Sequence, residues 1–167
     1  MSNSGKDIAT VIRIHDSKHA DVQFQDGTIC SVQVGNLKKG SFKNPYRKRK
    51  YGQCIGIPKI KETDKKLHKH LYAIWNAMIH RCYRPTDAAY KSYGGKGIHV
   101  SERWLCYENF SEDVIHLPGF DRDGILSGFL ELDKDYLQQD IQIDKKVYSK
   151  ETCCFIPKRL NESIRSK

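Results

Sequence analysis

Acidic side chains in the last third of the chain could hold a divalent metal ion. Asp133 and Asp135 flank Lys134 in the stretch Leu130–Asp135, within a region, residues 101–167, that carries ten Lys+Arg against thirteen Asp+Glu. Carboxylate oxygens are the ligands that Mg²⁺ and similar hard cations prefer. The same aspartates are equally typical of the solvated end of a hairpin, so their spacing alone leaves both interpretations open.

A second stretch combines positive charge with aromatic rings. Between Lys38 and Lys50 lie seven Lys and Arg and no acidic residue, with Phe42 and Tyr46 among them and Tyr51 just beyond. Cations neutralise phosphate, and aromatic rings can lie against sugar or base. We therefore predict a DNA contact here, although basic runs are often solvated turns. The predicted contact residues are Lys38, Lys39, Lys43, Tyr46, Arg47, Lys48, Arg49 and Lys50.

Neither the cysteines nor the histidines have the spacing of a zinc site. The six cysteines contain no C-x-x-C pair, and zinc sites usually require one. The adjacent Cys153 and Cys154 are predicted to be small buried apolar residues. His68 and His70 lie two apart on a predicted helix and so face different ways.

Charge and length narrow the class of protein. The chain has 167 residues, enough for one domain or two small ones, and a net charge of +9. Residues 1–60 carry eleven Lys+Arg against four Asp+Glu, and residues 61–100 carry eight against three. Such a basic front attracts a polyanion, most commonly nucleic acid. No apolar run approaches the ~18 residues of a membrane span, and the N-terminus lacks an apolar leader, so we expect a cytoplasmic protein without a membrane partner.

Alternating apolar residues predict a three-stranded antiparallel sheet near the N-terminus. The strands are Ile8–Ile14, Ala20–Phe24 and Thr28–Val32, and Asp26-Gly27 is a strong hairpin signal. A final short strand at residues 52–58 would complete a β-rich module over residues 1–60.

The remaining residues, 61–167, predict a mixed half, which makes the fold class α+β. A charged linker at Lys59–Lys66 leads into a helix from about Lys65 to Cys82, capped by Thr63 or Asp64. Residues 117–128 are predicted to be a loop. A strand at 130–135, a hairpin loop, a second strand and a terminal helix over Lys158–Ser166 follow.

Short motifs recur along this second half and carry a resemblance to a known family. They are Trp75, Arg81-Cys82-Tyr83, Tyr93–Gly97, Glu102–Leu105, Glu108–Phe110, Leu132–Asp135, Tyr148–Pro157 and Asn161. Together they resemble the HNH, or ββα-metal, nucleases, and more narrowly the homing-endonuclease-type proteins of bacteriophages. The front half is also similar to that family through Gly40–Tyr46.

The resemblance implies hydrolysis of double-stranded DNA with Mg²⁺ or Mn²⁺, no organic cofactor, and the host cytoplasm as the place of action. It implies that residues 61–167 form an HNH-like ββα-metal domain, in which a divalent ion polarises the scissile phosphate. The implied catalytic residues are Asp133, Lys134 and Asp135. The implied metal ligands are Asp133, Asp135, Glu151 and Thr152. Further candidate phosphate contacts are Arg81, Lys96 and Arg103.

Two positions depart from the family pattern. Lys134 stands where the family has a histidine base, and Thr152 stands near the usual asparagine. Lys134 could act as a base only if its surroundings favoured the neutral amine, and otherwise could hold phosphate as a point charge. The alternatives are a DNA-binding protein derived from such a nuclease, or a basic protein that binds a host-defence component.

Overall fold

Alternating apolar residues build the N-terminal sheet. The computed structural model describes residues 7–165. Its first three strands are β1 (Ala9–Ile14), β2 (His19–Phe24) and β3 (Ile29–Gln33), antiparallel in the order β1-β2-β3. At the β2–β3 turn, Gly27 has φ 86°, a conformation that glycine adopts readily, and the Asp26 side chain accepts the Thr28 N–H at 3.0 Å. The predicted three-stranded meander is therefore confirmed.

One face of this sheet forms a small core. Ala20, Val22 and Phe24 alternate along β2 and are buried, as a period of two requires. The Phe24 ring lies 6.1 Å from the Phe42 ring, centroid to centroid. A short helix, α1 (Val34–Lys38), follows β3. The first structural unit ends at Arg47 and the second begins at Lys48.

This division differs from the predicted one at residue 60. The backbone of residues 54–57 pairs with residues of the second unit: Cys54 N–H donates to the Leu105 carbonyl and Tyr107 N–H to the Cys54 carbonyl, both at 3.0 Å. Glu108 N–H donates to the Ile55 carbonyl at the same distance. In place of the strand predicted at 52–58 there is a single β-bridge, between Cys54 and Cys106.

Two helices follow, where a linker and one helix were predicted. α2 (Ile60–Thr63) occupies the predicted linker, and α3 (Lys65–Tyr83) confirms the predicted long helix. Asp64 caps α3, since its Oδ1 accepts the Leu67 N–H at 2.9 Å. Its Oδ2 accepts from Arg122 Nε at 2.6 Å, and this hydrogen bond helps to lower the pKa of Asp64 to about 2.

The remainder of the second unit is built from short elements. They are 3₁₀ turns at Tyr90–Ser92 and Gly94–Lys96, β4 (His99–Val100), a 3₁₀ turn at Glu102–Leu105, α4 (Tyr107–Val114), α5 (Arg122–Ser127), β5 (Leu130–Asp133), 3₁₀ turns at Tyr136–Gln138 and Ile143–Lys145, β6 (Val147–Tyr148), β7 (Cys154–Pro157) and α6 (Lys158–Arg165). β4 pairs with β6 in parallel, and β5 pairs with β7 antiparallel.

Local capping explains α5, a helix that the sequence did not predict. α5 lies in the predicted loop 117–128, and Asp121 Oδ2 accepts the Gly124 N–H at 2.6 Å at its start. The predicted terminal helix is confirmed over Lys158–Arg165, and Ser166 lies outside the described residues. The α+β class is confirmed.

α3 supplies the central part of the core. Trp75, Trp104 and Tyr107 are each 1% exposed or less. Trp75 Nε1 donates to the buried Trp104 carbonyl at 2.7 Å, which ties α3 to the 3₁₀ turn before α4. Among residues 7–165, no helix is both long enough and apolar enough to cross a membrane.

We predict that Trp75→Phe destabilises the protein by about 1–3 kcal/mol, because it leaves the buried Trp104 carbonyl without a donor. Trp104→Phe is the matched control: its indole donates at 2.9 Å to Asp113, which keeps Arg103 as a partner at 2.7 Å. Urea unfolding followed by circular dichroism measures both. Equal losses of stability would contradict the importance of the Trp75 hydrogen bond.

Candidate functional site

Asp133 is the last residue of strand β5 and lies at the start of the candidate site. Asp133 pairs in register with Cys154 of β7 and is 1% exposed. Its Oδ1 accepts the N–H groups of Asp135 at 2.9 Å and Tyr136 at 2.6 Å. This is the pattern of an aspartate that closes a turn onto its own backbone. Asp133 thus fixes the direction in which Lys134 and Asp135 leave the strand.

Two lysines donate hydrogen bonds to the carboxylate of Asp135. Lys134 Nζ donates to Oδ2 at 2.6 Å, and Lys146 Nζ donates to Oδ1 at 2.7 Å. Burial alone would raise the pKa of the Asp135 carboxyl, but these two hydrogen bonds and the positive charges of the lysines together hold its pKa below the usual value. Asp135 is therefore an ionised carboxylate with both oxygens engaged.

Aromatic rings enclose the Lys134 ammonium. Its side chain is 4% exposed, and Nζ lies 4.9 Å from the Tyr93 ring centroid and 5.7 Å from that of Tyr148. From α3, the Arg81 guanidinium reaches the same rings, at 5.3 and 5.9 Å. Cation–π contacts of this kind stabilise charge that is partly removed from water. Donation to Asp135 and enclosure by rings suit an ammonium cation rather than a proton-accepting amine, so this arrangement opposes the predicted role of Lys134 as a base.

A cleft of about 720 Å³ opens onto this cluster. Among the residues that the structure describes, its charged lining is Lys96, Lys134 and Lys146 against the single acid Asp135. Ile98 and Ile143 form an apolar part of the wall of the cleft. The volume is that of a small-ligand cleft, and the excess of two positive charges favours an anion.

A buried glutamine holds the two lysine-bearing segments together. Gln138 is 4% exposed, and its Nε2 donates to the carbonyls of Lys134 at 2.6 Å and Val147 at 3.0 Å. Its Oε1 accepts the Val147 N–H at 3.1 Å. The end of β5 and the start of β6 are thereby fixed at the spacing that lets Lys134 and Lys146 share Asp135.

The predicted metal ligands are not assembled. Thr152 Oγ1 donates to the Val147 carbonyl at 2.7 Å and accepts the Ser149 N–H at 3.1 Å. The Glu151 side chain is 65% exposed, and its Oε1 lies 3.9 Å from Lys150 Nζ. Within the part of the chain that the structure describes, no three His, Cys, Asp or Glu residues are grouped so as to hold a metal ion.

The oxygens that remain also fit a divalent ion poorly. Both Asp135 oxygens accept from ammonium groups, and one Asp133 oxygen accepts two backbone N–H groups. A metal ion would have to displace these donors and sit beside two lysines. The donor set of Asp133, Asp135, Glu151 and Thr152 therefore does not fit Mg²⁺ or Mn²⁺ in this arrangement.

All eight residues predicted to contact DNA in the basic stretch are exposed. Five of them, Lys38, Lys39, Lys43, Tyr46 and Arg47, belong to the first unit, and Lys48, Arg49 and Lys50 belong to the second. Arg47 Nη1 also donates to Asp7 at 2.9 Å, and Lys50 Nζ lies 5.5 Å from the Tyr51 ring centroid.

The three other candidate phosphate contacts have different surroundings. Lys96 lines the cleft, and Arg81 lies against the two tyrosines that enclose Lys134. Arg103 instead forms two hydrogen bonds to Asp113, at 2.7 and 3.0 Å. Arg103 is thus engaged in an internal ion pair.

The sequence reasoning missed Lys146, Gln138 and the enclosing rings. Lys146 and Tyr148 lie two residues apart in an extended segment, which places both side chains on one face. This spacing could have indicated, from the sequence alone, that the two side chains lie together. No sequence pattern could have indicated the pairing of Lys146 with Asp135, because that pairing depends on the turn that Gln138 holds.

Buried thiols contribute no reactive group. Cys153 and Cys154 are 0% and 3% exposed, as predicted for small apolar residues. Burial raises the pKa of the Cys153 thiol to about 12, so thiolate, the nucleophilic form, is scarce at neutral pH.

Comparisons with protein-family models, with curated proteins and with solved structures gave no match. The function of the chain is therefore inferred from the geometry around Asp135 and from the sequence motifs.

We predict that Gln138→Met lowers the free energy of unfolding by about 2 kcal/mol, because the Lys134 carbonyl and the Val147 N–H lose their hydrogen-bond partner. Gln139→Met is the matched control, since the Gln139 side chain is exposed and donates only to the Tyr136 carbonyl, at 3.0 Å. Chemical denaturation of both variants measures the difference. Equal stability of the two would show that Gln138 does not hold the site.

Proposed function

We propose that this chain is a DNA-binding protein of the homing-endonuclease type, and that the cleft beside Asp135 contacts the phosphate backbone of double-stranded DNA. The observation that supports this most directly is the charge of the cleft, with three lysines against one aspartate. Arg81 adds a further positive charge behind the same tyrosine rings. Phosphate is the anion that such cation clusters most commonly meet on nucleic acids.

The exposed basic stretch supports the same proposal. Lys48, Arg49 and Lys50 lie in the second unit with the cleft, and the other five predicted contacts lie in the first unit. Exposed lysine and arginine side chains can each neutralise a phosphate without reading the base sequence. Non-specific affinity would come from these residues, and a defined backbone contact would come from the cleft.

We predict that the protein binds duplex DNA with an affinity that falls steeply with salt. Lys96→Gln and Lys146→Gln should each weaken binding and reduce the slope of log affinity against log salt by about 0.9. Fluorescence anisotropy with a labelled duplex, over a series of salt concentrations, measures both quantities.

Lys145→Gln is the matched control, because Lys145 is exposed and outside the lining of the cleft. If all three variants lose the same affinity, the cleft has no special role. If the wild-type protein does not bind duplex DNA at low salt, the proposed function is wrong.

A metal-dependent DNA endonuclease is the second candidate. It is favoured by the order β5, β7, α6, with Asp133 at the end of the first strand of an antiparallel pair that a helix follows. The sequence motifs favour it as well. We rank the endonuclease second to DNA binding, because a divalent ion fits poorly among Asp133, Asp135, Glu151 and Thr152.

We predict that supercoiled plasmid DNA remains intact with the protein in Mg²⁺ or Mn²⁺, as it does in EDTA. The reason is that residues 7–165 assemble no group around Asp133 that could hold a metal ion. Agarose electrophoresis of the plasmid measures this. Cleavage that disappears both in EDTA and in Asp133→Asn, but persists in Asp140→Asn, would instead establish the nuclease. Asp140 is an exposed aspartate of the following loop, so it controls for the loss of one charge.

A further inference from the structure

We propose that Asp135 occupies the place of a phosphate group in the free protein, and that a phosphate of bound DNA takes over its two lysines when Asp135 turns away. The ligand class is a phosphate oxyanion. The assignment of DNA as its source rests on the proposed function. The exchange of the carboxylate for a phosphate involves Lys134, Asp135 and Lys146 and does not require that the phosphate come from DNA.

The geometry around Asp135 is that of an oxyanion site. Two oxygens of one planar group accept from two ammonium groups, at 2.6 and 2.7 Å. These ammonium groups come from separate segments, Lys134 at the end of β5 and Lys146 just before β6. Phosphate also presents oxygens to several cations at once, at similar distances. A phosphate group in this position would satisfy the same two donors.

The Lys134 ammonium is enclosed on the side away from Asp135. It lies against the rings of Tyr93 and Tyr148 and donates to Asp135 Oδ2 at 2.6 Å. With the Lys134 side chain only 4% exposed, an anion reaches this ammonium by replacing the Asp135 carboxylate rather than by binding beside it.

Asp135 itself has a route to water. Its side chain is 16% exposed and lines the cleft, so the carboxylate can leave the lysines for solvent. Without an anion between them, Lys134, Lys146 and Arg81 would repel one another, and an incoming phosphate removes that repulsion. Because one anion replaces another, the exchange has little net driving force of its own. Asp135 should therefore exclude small anions and admit a phosphate that is held by further contacts.

The test compares Asp135→Ser with Asp140→Ser. Both variants lose one negative charge, but only the first removes the carboxylate between the lysines. We expect Asp135→Ser to bind duplex DNA roughly five-fold more tightly than the wild type, which is the effect of one charge at ~4 Å in water. Asp140→Ser should change affinity less. Fluorescence anisotropy at fixed salt measures this.

A second arm uses inorganic phosphate instead of DNA. At matched ionic strength, phosphate in place of chloride should raise the melting temperature of Asp135→Ser by about 3 °C. It should leave the wild type and Asp140→Ser unchanged, because an anion already fills the site in both. If Asp135→Ser is unfolded in chloride, recovery of its circular dichroism signal in phosphate supports the proposal.

The outcomes separate this inference from the proposed function. A wild-type protein that fails to bind DNA removes the proposed function, while the phosphate arm still decides whether the two lysines bind phosphate once the Asp135 carboxylate is gone. If the wild type binds DNA and Asp135→Ser matches Asp140→Ser in both arms, the exchange is refuted. An Asp135→Ser variant that stays unfolded in both chloride and phosphate also refutes it.

Discussion

The carboxylate of Asp135 is the constraint around which the candidate site is built. Two lysine ammonium groups share it, and the Arg81 guanidinium lies against the same tyrosine rings as Lys134. Charges removed from water destabilise a fold unless they are paired. The elements that surround Asp135 therefore have to meet closely: α3 brings Arg81, the end of β5 brings Lys134, and the segment before β6 brings Lys146.

The same pairing explains why the hairpin does not offer a metal site. A divalent ion binds where carboxylates outnumber nearby cations, because their charges must offset its own. Here Asp135 faces two ammonium groups, and an oxygen of Asp133 closes a turn. In the proposed function, the lysines would supply the positive charge that a metal ion otherwise brings to a phosphate. The site would then bind the backbone of DNA without activating a water molecule.

Features that the sequence predicted correctly depend on local patterns, and those that it missed depend on distant contacts. The meander follows from strict alternation, and α3 follows from a repeat of apolar residues with an aspartate cap. Residues 48–60 were assigned to the first module because a final strand was predicted at residues 52–58. The structural division places them in the second unit, where Cys54 forms hydrogen bonds with Leu105 and Tyr107. Likewise the position of Asp133 was predictable, whereas the pairing of Lys146 with Asp135 needs the turn that Gln138 holds.

Two polar residues of this site form hydrogen bonds to the backbone, and this favours the proposed DNA binding over hydrolysis. Thr152, near the position of the family's asparagine, donates to the Val147 carbonyl, and Gln138 donates to the same oxygen, at 2.7 and 3.0 Å. Both side chains thus hold Val147, which lies between Lys146 and Tyr148. A hydrolytic site needs such polar groups turned toward water, metal or substrate. A binding site needs them to hold its cations in place, so these two contacts support the proposed DNA binding.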